Sequence, residues 1–136
     1  MGVHMPIELP DTIKQLLTLR AYGHVVTRNQ DGSPQMSMVW MDVDGNEVLF
    51  NTAEGRVKPR NLRRDPRILI SVQNPLNPQG HAIFHGTATV TAEGAEQHID
   101  MLAKRFLGTD KYPWRAPGEK RLIVRTQVDR IAGLGL

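Results

Sequence analysis

The sequence predicts a protein of mainly β structure, an antiparallel β-barrel with a few helices. Short runs rich in β-branched and aromatic residues recur along the chain, and several are joined by tight turn sequences such as Asp44-Gly45-Asn46. Two longer stretches carry the apolar spacing of an amphipathic helix. Because helices do not alternate regularly with strands, the pattern favours hairpin-connected strands over a parallel sheet.

Six strands and two helices follow from these patterns. The strands are expected at residues 24–27, 35–43, 48–52, 68–72, 81–91 and 121–128. The helices are expected at residues 12–19, with Asp11 as the N-cap, and at residues 94–106. Gly86 is expected to bend the strand at 81–91. We interpret residues 1–136 as a single domain in which residues 1–10 are flexible.

The composition argues against several classes of function. The chain has no cysteine, which excludes disulfides, thiolate metal ligands and a cysteine nucleophile. Its five histidines lack metal-ligand spacing, so no metal site is expected. No apolar run approaches the roughly 20 residues that span a bilayer, which favours a cytoplasmic protein without a membrane partner. The net charge of +3 is small for a dedicated nucleic-acid binder, so no nucleic-acid partner is expected.

The most informative segment is a basic run at residues 56–67, which holds six of the chain's 17 lysines and arginines. It directly follows the strand expected at 48–52. Pro59 suits the first position of a helix, where its missing N–H is no loss. Pro66 then ends that helix within about two turns. The run therefore predicts a short basic helix.

The start of this helix is a candidate anion site. Arg56, Lys58 and Arg60 would surround free backbone N–H groups at the positive end of the helix dipole, which is typical of a phosphate site. From the residues alone, a solvated helix with surface ion pairs is the alternative. Nucleic-acid binding is a further alternative, in which Arg63 and Arg64 would matter more than Lys58.

The order of motifs from Gly32 to Arg67 resembles that of a known family. A Gly-Ser-Pro turn leads to a Gln-Met-Ser-Met-Val-Trp strand, and Asp-Gly, Val-Leu-Phe-Asn-Thr and the basic run follow. This order resembles the pyridoxamine-phosphate-oxidase-like superfamily of flavin and deazaflavin split β-barrels, and most closely its actinobacterial branch that uses coenzyme F420. The resemblance covers about residues 11–132. It implies a six-stranded Greek-key split barrel that works as a homodimer with cofactor sites at the subunit interface.

The resemblance also implies which residues hold the cofactor. Its phosphate would be bound by Arg56 and Lys58. The residues implied beside the phosphate or the ribityl chain are Thr52, Arg60 and Asn61. The residues implied beneath the ring are Gln35, Ser37, Val39 and Trp40. Gln73 is a weaker candidate for a contact with the ring or the chain.

The function implied by the resemblance is that of an F420-dependent oxidoreductase. It would transfer a hydride between the deazaflavin and an unsaturated small organic substrate. FMN is the alternative cofactor, because both molecules carry a phosphate on a ribityl arm. A non-catalytic protein that binds F420, FMN or a tetrapyrrole is an alternative of a different class. True pyridoxamine-phosphate oxidation is less expected, because the family's C-terminal Arg-Leu substrate motif has no match in residues 129–136.

The aromatic and methionine residues leave two assignments open. Met36, Met38 and Trp40 are interpreted equally as core or dimer interface and as walls of the active site. Tyr112 and Trp114 fall in an irregular segment, where they are interpreted as packing a corner, with lining of a substrate pocket as the alternative. No catalytic side chain can be assigned from the sequence.

Overall fold

The computed structural model describes residues 5–134, which form three helices and seven strands. The helices are α1 (Asp11–Thr18), α2 (Val57–Arg64) and α3 (Ala95–Leu107). The strands are β1 (Tyr22–Arg28), β2 (Pro34–Trp40), β3 (Asp42–Asp44), β4 (Glu47–Ala53), β5 (Arg67–Gln73), β6 (His81–Thr91) and β7 (Arg121–Leu134). None of these helices is long and apolar enough to cross a membrane.

The strands form one antiparallel sheet in the order β2-β1-β5-β6-β7-β4-β3. The strands β2 and β3 lie at opposite ends of that order, yet along the chain Met41 alone separates them. The two edges of the sheet therefore lie close together, and the sheet curls into an open barrel. The mainly β, antiparallel class predicted from the sequence is confirmed.

The strand count is seven rather than the predicted six, because the strand expected at 35–43 is divided at Met41. Up to Trp40 the segment pairs with β1, and from Asp42 it pairs with β4. Between these pairings Met41 donates its N–H to Ala21 O at 3.0 Å and buries its side chain completely. The chain turns a corner of the barrel here, where one strand changes partners. Side-chain alternation continues through the corner, so the sequence pattern contains no sign of it.

The interior of the barrel is filled by apolar side chains from the strands, and α1 packs against them. Fully buried examples are Val25, Phe50, Ile70, Val72, Phe84 and Val124. The predicted N-cap of α1 is wrong: Pro10 occupies that position without a side-chain hydrogen bond, and Asp11 is the first helical residue. At that place its carboxylate still favours the positive end of the helix dipole.

The described part of the N-terminal segment contacts the barrel. The N–H of Ile7 donates to Val128 O at 2.8 Å, and Leu9 is buried. Residues 1–4, which belong to the segment predicted to be flexible, lie outside the described residues.

The helix α3 packs on the outer face of β4 and β7, and this placement forms one wall of the candidate site. Its first turn joins a small buried cluster of Leu49, Ala95 and Ile123. Its next turns bury Ile99, Leu102 and Phe106, with Trp40 and Tyr112 packed against them. The helix predicted at 94–106 is confirmed to within one residue at each end.

The strand β6 is irregular at the predicted place. Its pairing with β7 shifts register between His85 and Gly86. A Cβ atom at Gly86 would lie 2.4 Å from Gln127 O, so only glycine permits this approach of the two backbones. The last strand runs to Leu134, beyond the predicted end at residue 128, because it pairs with β6 along its length.

Candidate functional site

The basic run forms the short helix α2, as predicted, with Arg56 as its N-cap. Pro59 is its third residue rather than the predicted first one. The third position tolerates proline because the first N–H groups of a helix have no intrahelical partner. The helix ends at Arg64, ahead of Pro66.

The two faces of α2 differ in burial. The buried face consists of Lys58, Pro59, Asn61 and Leu62. The exposed face consists of Arg60, Arg63 and Arg64. Since Leu62 belongs to the barrel core, it anchors the helix and fixes which of its cations turn inward.

A pocket of about 150 Å³ lies between the start of α2, the helix α3 and the edge strand β2. Its lining residues are Met38, Val39, Trp40, Asn51, Arg56, Lys58, Ile99, Leu102, Tyr112, Trp114 and Arg121. We call Arg56, Lys58 and Arg121 the cationic side of this pocket. We call Trp40, Tyr112 and Trp114 its aromatic side.

The cationic side carries more positive charge than its surroundings balance. Lys58 is 9% exposed and Arg121 is 3% exposed. Glu119 Oε1 lies 3.3 Å from Arg56 Nη2 and 3.3 Å from Arg121 Nη1, so one carboxylate is shared between two guanidinium groups. No described residue forms a hydrogen bond or ion pair with Lys58 Nζ. The site therefore has the charge pattern of an anion-binding pocket.

The pKa of Lys58 responds to this surplus. Burial lowers the pKa of its ammonium below the ordinary value, and the positive charges of Arg56 and Arg121 lower it further. An anion bound beside Lys58 would raise this pKa again, because its opposite charge would favour the charged form of the ammonium.

The aromatic side consists of rings in mutual contact. Trp40 stacks on Phe106 with ring centroids 5.0 Å apart and planes 9° from parallel. Tyr112 meets Trp40 and Trp114 edge-on, at 6.1 and 5.8 Å. Trp114 is 62% exposed, so a large apolar ring lies open at the pocket. Tyr112 and Trp114 thus both pack together and line the pocket, which combines the two interpretations made from the sequence.

The cationic and aromatic sides meet at Arg121. Its Cζ atom lies 4.9 Å from the centroid of the Tyr112 ring, within the range of a cation–π contact. A ligand with an anionic group and a planar apolar part would therefore find both complements within one pocket.

The structure brings part of the predicted cofactor set together. Val39 and Trp40 of β2 and Arg56 and Lys58 at the start of α2 all line the pocket. These residues come from the two segments on which the resemblance depended.

The other predicted site residues lie elsewhere. Arg60 is exposed on α2, and the buried Asn61 donates its Nδ2–H to Thr27 Oγ1 at 3.1 Å. Gln73 donates to Pro78 O at 2.9 Å. Gln35 Oε1 accepts a hydrogen bond from Thr27 Oγ1 at 3.3 Å. The remaining two residues are Ser37 and Thr52, whose buried hydroxyl oxygens lack a hydrogen-bond partner within the described chain.

Sequence reasoning missed Asn51 and Arg121. Arg121 is the first residue of β7, and strand pairing places it opposite Ala53 at the end of β4. That register is set by long-range pairing, and no local pattern signals it. Asn51 lies next to the predicted Thr52, but its side chain points to the other face of β4, toward α3.

The residues present fit the phosphate of a flavin-type cofactor. Within residues 5–134 Lys58 lacks a counter-charge, and the buried Arg121 Nη1 lies within ion-pair distance of Glu119 but forms no hydrogen bond. Ligand pockets for drug-sized molecules usually enclose roughly 300–1,000 Å³. This pocket is smaller, so it would enclose the anionic end of such a ligand and leave the rest over exposed surface.

The structure is an open β-barrel whose pocket has a cationic side and an aromatic side, which suits an anionic, partly planar ligand. Residues 9–132 match the model of the pyridoxamine 5'-phosphate oxidase family. The chain belongs to that family, and the resemblance inferred from the motif order is confirmed.

Solved structures support the same placement. An F420 reductase is 25% identical, with a TM-score of 0.76 over 91% of this chain and 98% of that one. A conserved hypothetical protein from Mycobacterium tuberculosis is 21% identical, with a TM-score of 0.70 over 94% and 85%. A pyridoxamine 5'-phosphate oxidase-related, FMN-binding protein from Nostoc punctiforme is 14% identical, with a TM-score of 0.63 over 90% and 78%. The last two show the fold alone.

Proposed function

We propose that the protein is an F420-dependent oxidoreductase. The observation that carries the proposal is the surplus of positive charge in the pocket, where the buried Lys58 and Arg121 lie with the half-exposed Arg56 beside an open aromatic wall. The similarity to an F420 reductase over nearly the whole chain supports the choice of coenzyme. When bound, reduced F420 would supply a hydride to an unsaturated small organic acceptor.

The chain's own residues would bind and orient the coenzyme. Lys58 offers a compact charge to a phosphate oxygen, while Arg56 and Arg121 can each donate two parallel hydrogen bonds. Val39 and Trp40 would lie under the ring, where β2 also offers backbone groups. Trp114 would cover the apolar part of the ligand and exclude water.

The exposed arginines of α2 favour F420 over FMN. Arg56, Arg60 and Arg64 recur every four residues, so they follow one face of the helix away from the pocket. A coenzyme with an anionic tail beyond its ribityl phosphate would meet this face, whereas FMN ends at the phosphate. FMN remains the second candidate, because the family includes an FMN-binding neighbour.

We propose that the active form is a homodimer that pairs through β2. This edge strand exposes Met36 at 65% and Met38 at 59%, next to Tyr22 at 44%. Such an apolar patch at a sheet edge is typical of an interface.

Sedimentation of the protein should give a dimer, and Met36→Asp should shift it toward the monomer. Leu76→Asp is the matched control, because Leu76 is 80% exposed in a loop; a monomeric wild type would overturn the proposal.

The test of the reaction is anaerobic stopped-flow mixing of the protein–F420H₂ complex with a panel of conjugated acceptors. At least one acceptor should accelerate the return of oxidised F420, and Lys58→Ala should abolish that acceleration at equal coenzyme concentration. Tight binding without acceptor-dependent oxidation would indicate a non-catalytic binder. Tight FMN binding without F420 affinity would overturn the choice of coenzyme.

A further inference from the structure

Arg121 is the most deeply buried member of the cationic side. It is 3% exposed, whereas the side chain of Arg56 is 48% exposed. A guanidinium on a long, flexible stem binds an anion more tightly when its orientation is fixed beforehand. The structure fixes Arg121 through a series of buried side chains that reaches away from the pocket.

The first of these side chains is Asn51, whose amide has only one satisfactory orientation. Its Oδ1 accepts from Arg121 Nε at 2.8 Å. Its Nδ2 donates to Ala95 O at 3.0 Å and points at His98 Nδ1 at 3.1 Å. Flipping the amide would place a donor against Arg121 Nε–H and an oxygen against Ala95 O, so two contacts assign it independently.

The orientation of Asn51 determines the tautomer of His98. Because Asn51 donates to it, Nδ1 must accept, and the imidazole proton lies on Nε2. That nitrogen lies 3.0 Å from Asp42 Oδ2, to which it donates. Asp42 Oδ1 in turn accepts from Arg105 Nη1 at 3.0 Å.

Every donor in this series points toward the carboxylate of Asp42. Burial raises the pKa of that carboxyl, but the hydrogen bond from His98, the backbone N–H of Val43 and the charge of Arg105 together hold the pKa below its ordinary value. The carboxylate therefore stays ionised, and it polarises His98 and Asn51 in the direction that strengthens the acceptor for Arg121.

We propose that Asp42, His98 and Asn51 form a positioning chain that holds Arg121 in the pocket as a ligand for a phosphate group. The inference deepens the proposed function, since it adds Arg121 to the phosphate ligands and names what orients it. His98 and Asp42 do not line the pocket, whereas Asn51 and Arg121 do, so His98 and Asp42 can affect a ligand only through neighbouring residues.

The competing explanation is that the same contacts only dock α3 onto the sheet. The chain offers a matched control in Arg105, which also lies on α3 and contacts the same Asp42 carboxylate from the side opposite His98. Arg105→Gln weakens the docking of α3 and leaves the series from His98 to Arg121 intact. His98→Leu weakens the docking and breaks the series.

The test measures binding of inorganic phosphate in a double-mutant cycle. Fluorescence reports on the pocket, because both tryptophans of the chain, Trp40 and Trp114, line it. His98→Leu should weaken phosphate binding about fivefold to tenfold, and Arg105→Gln should change it by less than about twofold. His98→Leu should have no further effect in an Arg121→Gln background. Equal effects of His98→Leu in both backgrounds would overturn the inference.

A second readout uses the unmodified protein and does not depend on any variant folding. Imidazole ¹⁵N shifts should identify His98 Nδ1 as unprotonated and Nε2 as protonated, and the Arg121 Nε–H should exchange slowly with solvent. The opposite tautomer would overturn the inference.

If phosphate binds with the expected coupling but neither F420 nor FMN binds, the proposed function fails and the inference stands. If F420 binds but the two substitutions act independently, the inference fails and the proposed function stands.

Discussion

The two halves of the basic run at residues 56–67 look alike in sequence and differ in structure. In the first half, Lys58 turns inward and lacks a counter-charge among the described residues, beside the buried Arg121. In the second half, Arg63 binds the Glu54 carboxylate and Arg67 binds Asp65 at 2.8 Å. Both of these pairs lie at the surface, where ion pairs contribute little.

This contrast in burial and ion pairing shows that a high density of positive charge does not by itself indicate a binding site. An exposed cation with a carboxylate partner is satisfied in the free protein, so an added anion gains little from it. A buried cation without a partner holds an unfavourable charge that a ligand can neutralise. Lys58 and Arg63 are only five residues apart on α2, yet their surroundings lead to opposite predictions.

The largest expected effect is the loss of coenzyme binding on Lys58→Ala. Removing a buried charge that contacts phosphate should weaken F420 binding by about 100-fold, while Arg63→Ala should change it by less than about twofold. Equilibrium titration by fluorescence measures both. If the basic run bound nucleic acid instead, Arg63→Ala would have a larger effect on binding than Lys58→Ala. That result would contradict the contrast drawn between the two halves of the run.

The second prediction concerns the stability of the free protein. Lys58→Met should raise the free energy of unfolding by about 1 kcal/mol, because it removes a buried charge without a partner. Arg63→Met should lower it by less than about 0.5 kcal/mol. Urea denaturation without ligand gives both values.

The pH dependence of stability provides the control for this effect. The folded-state pKa of Lys58 lies below the unfolded value of about 10.5, so its unfavourable contribution is complete below the folded pKa. That contribution disappears as pH rises toward 10.5, and the difference between wild type and Lys58→Met should shrink over the same window. A difference independent of pH would contradict burial of the charged form as its cause.

The third prediction concerns Arg60 and Arg64, the two exposed arginines that follow Arg56 along one face of α2. Substituting Arg60 and Arg64 together by glutamine should weaken F420 binding about fivefold and leave FMN binding unchanged, because only F420 has a tail that reaches them. The ratio of the two affinities is the measured quantity. An equal loss for both ligands would remove the argument for F420 over FMN.

The smallest expected effect is at Asp65. The hydrogen bonds from the Arg67 side chain lower the pKa of this carboxyl to about 2. Its stabilising contribution is therefore complete above the unfolded value of 3.8 and is lost as pH falls through about 2. Arg67→Gln should return the pKa toward 3.8, as measured by NMR titration, and leave F420 affinity unchanged. Reduced F420 affinity would place Arg67 in the coenzyme site as well.

Local patterns predicted most of the fold, and four of the predicted site residues line the pocket. The strands, the bend at Gly86 and the short helix α2 depend on neighbouring residues, which the sequence displays directly. The barrel corner at Met41 and the approach of Arg121 to Lys58 depend on which strands pair, and the sequence contains no local trace of that pairing. The contacts of His98 could not be predicted for the same reason, because its partners are 47 and 56 residues away along the chain.

The most direct test of the account is a structure of the protein with F420 bound. The account predicts that the ribityl phosphate lies within hydrogen-bond distance of Lys58 Nζ and of the guanidinium groups of Arg56 and Arg121, with the ring beside Trp40. A phosphate held instead by Arg63 or Arg67, or a coenzyme bound away from this pocket, would contradict it.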